Sequence, residues 1–481
     1  MLEPLLTFLP VMAMYLGALA SLSIDFKKRG SKILLLLLPV VSLVLAIVQF
    51  FGSGLPSMTP SNFVISESNT FMVIACMANT CIVLVSGFGD LSEKNVERFY
   101  HVLLFLISGS ACGLLYSDNL FVLGTFILAT EIFISILKFI YPSIDKKLFN
   151  ALIAAFTTGF IFLMIGCLMI NNIPGNVQNL YLSRLDPAAV PPLAMFFLYA
   201  GFLIVFAAFP VSMLVHLGLH LKSHVSVKLF NVFFMSALYW KFLQVQDAVN
   251  MTGLAFDATS FVLGMGNVIA GVAAIARELI AMKQRRIEMI VLASYMIDFG
   301  IMLALFGLVG QVGITAHEIQ QAIMLQVMIT LATKTMFIVS VKNISRVFHS
   351  DIIEDMEGLK IRRPVTLAGY VMGTLGTVYL GIFILDAVFK VIDNMPGAIM
   401  GHVLFWSVLV VIMFTSTWIA VTIAWIFGGK DLPAAVQNTQ PRSMTKEEAT
   451  IVVLIALNAI FILILYVLPP STFLESLLLG S

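Results

Sequence analysis

Long runs of hydrophobic residues, separated by short polar segments, repeat along the whole chain. Runs of about 20 residues are long enough to cross a bilayer as a helix. They lie near residues 2–22, 32–51, 69–89, 99–117, 119–141, 148–170, 192–216, 225–246, 258–282, 287–311, 319–343, 365–391, 402–428 and 449–469. The runs lack strand-like alternation, and backbone in lipid must satisfy its own hydrogen bonds. The pattern predicts an all-α polytopic membrane protein with about fourteen transmembrane helices.

The composition agrees with this prediction and excludes several classes of protein. Of the 481 residues, 60% are hydrophobic and 11% are charged, whereas soluble domains carry about 25% charged residues. The net charge of +1 gives no reason to expect nucleic-acid binding. The four cysteines lie within apolar runs and form no C-x-x-C pair, so they predict neither a metal site nor a bound cofactor.

The basic residues predict the orientation of the chain. Loops after odd-numbered spans hold most of the 27 lysines and arginines, whereas loops after even-numbered spans hold only Arg184. Because cytoplasmic loops carry the excess of basic residues, both termini are expected on the non-cytoplasmic side of the cell (cytoplasmic or inner) membrane. The first run lacks a basic leader and a cleavage site, so it is predicted to be a retained span.

Seven charged residues lie inside the predicted spans and are the candidates for ion translocation. They are Glu131 in span 5, Lys228 and Lys241 in span 8, Asp298 in span 10, Lys334 in span 11, and Asp386 and Lys390 in span 12. A charge at the bilayer centre costs about 2.5–3.5 kcal/mol, so these side chains are expected to face a hydrated interior. Lysine suits proton exchange because desolvation favours its neutral form.

Three of the candidates also have a structural explanation. Lys228 and Lys390 lie close enough to span ends to extend towards the membrane surface. Asp386 and Lys390 are four residues apart, so they can form an ion pair with each other. Lys334, Asp298 and Glu131 lie near the middle of their spans, and these three residues are the strongest candidates. The histidines at 216, 220 and 224 have no carboxylate or thiolate nearby, so no metal site is predicted.

Several motifs resemble a known family. They are Arg98–His101 with the polar turn 114–120, Gly201–Leu203 with Phe209-Pro210, Arg286–Gly300, Leu331–Lys334 with Phe337, and Asp351–Pro364. With fourteen spans and lysines in spans 8, 11 and 12, they resemble the antiporter-like subunits, of M or N type, of respiratory complex I. Energy-converting membrane-bound hydrogenases and Mrp cation/proton antiporters contain relatives. The resemblance covers nearly the whole chain.

This resemblance implies a domain organisation. The family contains two inverted five-helix repeats with interrupted central helices, here spans 4–8 and 9–13. The expected domains are therefore three N-terminal helices (1–98), a first half-channel (99–246), a second half-channel (258–428) and a C-terminal helix (449–481). Pro210 can help to interrupt span 7, whereas span 12 has no internal proline.

The chain departs from the family pattern mainly in its first half. Val205 stands where the family has a lysine in span 7, and Glu131 lies one turn after the position of the family's span 5 glutamate. The position of the span 8 lysine is occupied by Met235, between Lys228 and Lys241. In the second half Asp298 replaces a histidine, and Lys390 lies within one residue of the family's span 12 lysine. The second half is thus better preserved.

The resemblance implies an ion-translocating, most simply proton-translocating, membrane subunit of a multisubunit redox complex. The chain has no nucleotide fingerprint, haem ligand set or cluster motif, so oxidoreductase chemistry of the NADH:quinone or hydrogenase type would occur in other subunits. The expected partners are other membrane subunits, the lipid bilayer, and protons or sodium ions. Two alternatives stay open, namely a non-pumping structural subunit and a stand-alone secondary transporter.

Overall fold

The computed structural model of the chain is helical throughout most of its length. It describes residues 8–24, 29–51, 63, 66–87, 94–140, 146–173, 180–206, 208, 211–212, 225–251, 253–280, 286–309, 316–348, 350, 352–353, 364–394, 399–426 and 448–456. Within these ranges the β-type pairing is limited to three isolated bridges. The predicted all-α class is confirmed.

Thirteen helices of the described chain coincide with the first thirteen predicted spans. They are α1 (Leu9–Ser23), α2 (Arg29–Phe51), α3 (Glu67–Gly87), α4 (Lys94–Tyr116), α5 (Leu120–Ile140), α6 (Lys146–Asn171), α7 (Pro192–Val205), α8 (Val225–Val249), α9 (Leu254–Ile280), α10 (Ile287–Val309), α11 (Ala316–Phe348), α12 (Pro364–Asn394) and α13 (Ile399–Ile426). Residues 448–456 are helical within the last predicted span. By length and composition, seven of the described helices can cross a membrane, and four shorter ones are also apolar.

Two helices bear on the expected interruptions of spans 7 and 12. Helix α7 ends at Val205, eleven residues before the end of predicted span 192–216, and the next residue, Phe206, bonds back through its N–H to Phe202 O at 2.8 Å. Pro210 lies outside the described residues. Helix α12 runs without a break from Pro364 to Asn394. An unbroken α12 agrees with the absence of an internal proline, which is a frequent cause of helix interruption.

The chain divides into two compact units. Of the described residues, the first unit holds α1–α7 and 233–251, the greater part of α8. The second holds 225–232, α9–α13 and 448–456. The three N-terminal helices and helices α4–α7 therefore belong to one unit. The proposed half-channels 99–246 and 258–428 stay a prediction.

Contacts between loops agree with helices that alternate in direction. In the first unit, Phe63 pairs with Ser117 and Asn119 pairs with Tyr181, and all four residues follow even-numbered helices. In the second unit, Arg286 pairs with Ile352, and both residues follow odd-numbered helices. Successive helices that run in opposite directions bring alternate loops to the same end of each unit, and the assignment of the cytoplasmic end stays a prediction.

Glycines allow helices to pack closely within each unit. In the second unit a Cβ on Gly264 of α9 would lie 2.5 Å from Ala304 N, and one on Gly300 of α10 would lie 2.7 Å from Gly264 O. In the first unit, a Cβ on Gly201 of α7 would lie 2.8 Å from Gly159 O of α6. In a lipid bilayer the hydrophobic effect does not drive helices together. Small residues such as these glycines let two helix backbones come into contact, and this close packing stabilises their association.

We expect Gly264→Val to destabilise the second unit by roughly 1–3 kcal/mol, the usual cost of overpacking. The added side chain would meet the backbone of α10, which cannot rotate away. Thermal unfolding of the purified protein in detergent measures the effect. Ala273→Val is the matched control, because Ala273 is exposed on the same helix. Equal unfolding temperatures for the two variants would contradict the close contact.

Candidate functional site

The second unit contains a fully buried ion pair between α10 and α11. Lys334 Nζ lies 2.9 Å from Asp298 Oδ2, and both side chains have 0% exposure. Helix α10 places Asp298 near its middle, and α11 places Lys334 more than three turns from either end. Two of the three strongest candidates from the sequence are therefore direct partners. Neither can reach the membrane surface by extending its side chain.

A line of polar residues on α11 leads to this pair. Gln326 and Thr330 precede Lys334 at intervals of four, which places the three on one helix face. All are buried, and Gln326 Nε2 donates to the backbone oxygen of Asp298 at 3.1 Å. The sequence interpretation missed Gln326 and Thr330. The sequence does contain a pattern that indicates them, because polar residues recur every four positions in an otherwise apolar span.

The second acid–lysine pair, on α12, is placed differently. Lys390 Nζ lies 3.4 Å from Asp386 Oδ2, one helical turn away, so the expected pairing is present. The side chains are 48% and 69% exposed, respectively, and lie on the surface of the second unit rather than in its interior. Lys390 is four residues from the end of α12. A role for this pair in translocation stays a prediction.

We expect Lys390→Met to change the stability of the purified protein by no more than about 1 kcal/mol, since exposed ion pairs contribute little. Thermal unfolding in detergent checks this. The comparison is Lys334→Met, which removes the same group from a buried pair. A Lys390 variant as unstable as the Lys334 variant would show that the α12 pair is buried in the purified protein.

Three of the seven candidates lie in the first half of the chain, namely Glu131, Lys228 and Lys241. Glu131 on α5 and Lys241 on α8 are both buried in the first unit. Lys241 Nζ donates to Leu115 O at 3.4 Å and to Gln244 Oε1 at 3.0 Å. Lys228 lies in the first turn of α8, and its side chain is outside the described part of the structure.

Val205 stands at the position where the resemblance places a lysine in span 7, and it lies among apolar side chains. Val205 is fully buried at the end of α7. Next to it in the chain, Phe206 stacks on Tyr239 of α8 at 4.3 Å between ring centroids and meets Phe242 edge-on at 4.9 Å. Phe202 also contacts Phe242, at 5.0 Å. This aromatic cluster gives the α7–α8 contact an apolar character.

Among the residues that the structure describes, no group of three or more His, Cys, Asp or Glu side chains is arranged to hold a metal ion. The histidines at 216, 220 and 224 lie outside those residues. The chemistry that the buried pair can perform is proton exchange. An ammonium beside a carboxylate can release a proton and regain it, and the pair changes from charged to neutral as it does so.

A multi-pass helical membrane protein with a buried acid–lysine pair is therefore the class that the fold and the site define. No family model and no curated protein matches the sequence. The fold is similar to that of a chain in the membrane-bound sulfane sulfur reductase (MBS), an archaeal respiratory membrane complex. The TM-score is 0.74 at 14% identity, over 100% of this chain and 97% of that one.

A chain of respiratory complex I from Thermus thermophilus with bound NADH is also similar. The TM-score is 0.71 at 16% identity, over 93% of each chain. These likenesses cover almost the whole of both chains, so the protein shares the complete fold of membrane chains of respiratory complexes. The predicted resemblance to the antiporter-like subunits of complex I agrees with this finding. At such low identity the similarity concerns the fold.

Proposed function

We propose that this protein is a proton-translocating membrane subunit of a multisubunit redox complex related to complex I. The Asp298–Lys334 pair carries the proposal, because two opposite charges at 0% exposure in mid-helix are costly and mark functional sites in membranes. The whole-chain similarity in fold to chains of two respiratory complexes supports it. Redox chemistry would take place in other subunits.

The chemistry of the pair favours protons over sodium ions. Small hard cations bind through several oxygen ligands, whereas the Asp298 carboxylate already faces the ammonium of Lys334. In the proposed step an N–H bond of Lys334 breaks and an O–H bond forms on Asp298, so that both side chains become neutral. Asp298 then gives its proton to a water, and Lys334 takes a proton from another water, which restores the charged pair. The buried hydroxyl and amide of Thr330 and Gln326 offer polar partners along this path.

The proposal assigns a membrane orientation to the chain and roles to three further charged residues. The odd-numbered loops would be cytoplasmic, in the cell membrane, and both termini would lie on the other side. Lys390 and Asp386 would then lie near the non-cytoplasmic end of α12, where their exposure allows exchange with water or contact with a partner subunit. Glu131, buried on α5, would modulate the first unit through its charge.

A second candidate function is that of a structural subunit that does not pump. The observation that favours it is the aromatic cluster of Phe202, Phe206, Tyr239 and Phe242 beside Val205. Apolar packing there replaces the charge that the family has in span 7. This candidate predicts that removal of the Lys334 amine leaves the ion gradient of the complex unchanged.

The first experiment is purification of the native protein in mild detergent, with mass spectrometry of every co-purifying chain. We expect subunits that resemble quinone reductases or hydrogenases. Small membrane partners alone would indicate an antiporter of the Mrp type instead. A chain that purifies alone would contradict a complex and favour a stand-alone transporter. Reconstitution into vesicles with an internal pH dye then measures proton transport under an imposed potassium diffusion potential.

A further inference from the structure

A second buried site lies in the first unit, at the ends of α3, α4 and α8. Lys241 Nζ donates to the backbone oxygen of Leu115, at the end of α4, and to Gln244 Oε1. Gln244 Nε2 in turn donates to Asn69 Oδ1, near the start of α3, at 2.7 Å. The Lys241 ammonium is 3% exposed. A chain of hydrogen bonds thus joins three helices around one buried cation.

The carboxylate of Asp118 provides the opposite charge. Asp118 is buried in the turn between α4 and α5, three residues after Leu115, whose backbone oxygen accepts from Lys241. Its Oδ1 accepts from Ser183 N at 3.0 Å, and its Oδ2 accepts from Ser183 Oγ at 2.6 Å. These two hydrogen bonds fix the orientation of the carboxylate, and they tie the turn to the segment before α7.

This site is separate from the aromatic cluster on the same helix. Tyr239 and Phe242 belong to that cluster, whereas Lys241 and Gln244 point to the opposite face of α8, because residues are 100° apart around a helix. The α4–α5 turn also pairs with Phe63 and Tyr181, in loops that follow even-numbered helices. The site therefore lies at the end of the first unit where the even-numbered loops meet.

We propose that Lys241 is the proton-exchange residue at the non-cytoplasmic end of the first unit, and that Asp118 is the positioning residue that balances its charge. This inference rests on the proposed function. A proton leaves the Lys241 ammonium as an N–H bond breaks, and an O–H bond forms on a water at the mouth of the site. The neutral amine regains a proton in the next cycle.

The competing explanation is structural. Leu115 O is one of the last four carbonyls of α4, which have no partner within the helix, and a cation near a helix C-terminus is stabilising. A lysine that only caps α4 would be replaceable by arginine, which keeps the charge and the donors. Arginine does not release its proton in proteins. Lys241→Arg therefore separates proton exchange from capping.

The test measures proton uptake by vesicles that contain the purified complex, under an imposed membrane potential. We expect Lys241→Arg to assemble normally but to lower the transport rate by about 10²-fold, the usual scale for loss of an acid–base group. Asp118→Asn keeps the shape of the side chain and should lower the rate at least several-fold. The matched controls are Lys147→Arg and Asp247→Asn, whose side chains are exposed and which should transport normally.

Lys334→Arg, measured in parallel, separates the inference from the proposed function. Lost transport in both lysine variants supports the inference. Lost transport in the Lys334 variant with normal transport by Lys241→Arg overturns the inference and leaves the proposed function in place. Normal transport by Lys334→Arg contradicts the role of Lys334 in the proposed function, and normal transport by both lysine variants contradicts the inference as well. If Lys241→Arg fails to assemble, Asp118→Asn decides, because normal transport by that variant would overturn the role of the pair.

Discussion

Lys334→Arg is expected to stop proton transport while the complex assembles normally. Arginine keeps a positive charge opposite Asp298 and therefore keeps the buried pair, but its guanidinium stays protonated. Loss of the acid–base group should lower the transport rate by about 10²-fold or more. The measurement is dye-reported proton uptake by vesicles that contain the purified complex, normalised to the amount of assembled protein.

Lys147→Arg serves as the control for this exchange, because Lys147 is exposed at the start of α6. It should transport at the rate of the unchanged protein. Rapid transport by Lys334→Arg would show that the amine of Lys334 does not need to release a proton. The buried pair would then be structural, and the second candidate function would be preferred.

The second large effect concerns stability. Lys334→Met removes the cation and leaves Asp298 in a site with no exposure, so we expect destabilisation by roughly 3–5 kcal/mol. The double variant Lys334→Met with Asp298→Leu removes both charges, and replacing a whole buried pair by apolar groups is often neutral. It should recover most of the lost stability but none of the transport. Thermal unfolding in detergent and the vesicle assay give the two values.

Asp298→Leu alone completes this cycle, and it should be as destabilising as Lys334→Met. If the double variant is as unstable as the sum of the two single variants, the two side chains do not interact, which would contradict the 2.9 Å contact. Recovery of both stability and transport in the double variant would show that the pair is dispensable, which would remove the basis of the proposed function.

Much of the fold could be predicted because hydrophobic run length determines where a chain crosses a bilayer. Helices α2 to α6 begin and end within a few residues of the predicted spans. The end of α7 was not predicted, because Leu203–Phe206 are as apolar as the helix before them. Hydropathy measures how well a segment tolerates lipid, and it does not mark the residue at which backbone hydrogen bonds change.

The sequence predicted which residues belong to the candidate site, but it did not predict which of them contact each other. Asp298 and Lys334 could be chosen because mid-span charges are rare, yet their pairing depends on the register of α10 against α11, which no local pattern reveals. The same limit applies to Asp386 and Lys390, which were expected to face a hydrated interior and lie on the surface of the second unit. Which face of a helix turns outward depends on its neighbours.

Asp118 shows a different limit of reading the sequence. It lies in the polar turn between α4 and α5, where a carboxylate is ordinary, and only the structure shows it buried and bonded to Ser183. Val205 gave the opposite signal. The sequence predicts an apolar residue there in place of a lysine, and the structure shows Val205 buried beside aromatic side chains.

The close contact between α9 and α10 determines which part of the buried pair can move. Asp298 precedes Gly300 by two residues, and at Gly300 the backbone of α10 touches that of α9. The aspartate is therefore anchored to a rigid two-helix body, while Lys334 reaches it through four flexible methylene groups. Separating the two charges then requires only rotation of the lysine side chain. Side-chain rotations are far faster than collective helix motions, so the proposed proton-transfer step should be insensitive to the fluidity of the surrounding bilayer.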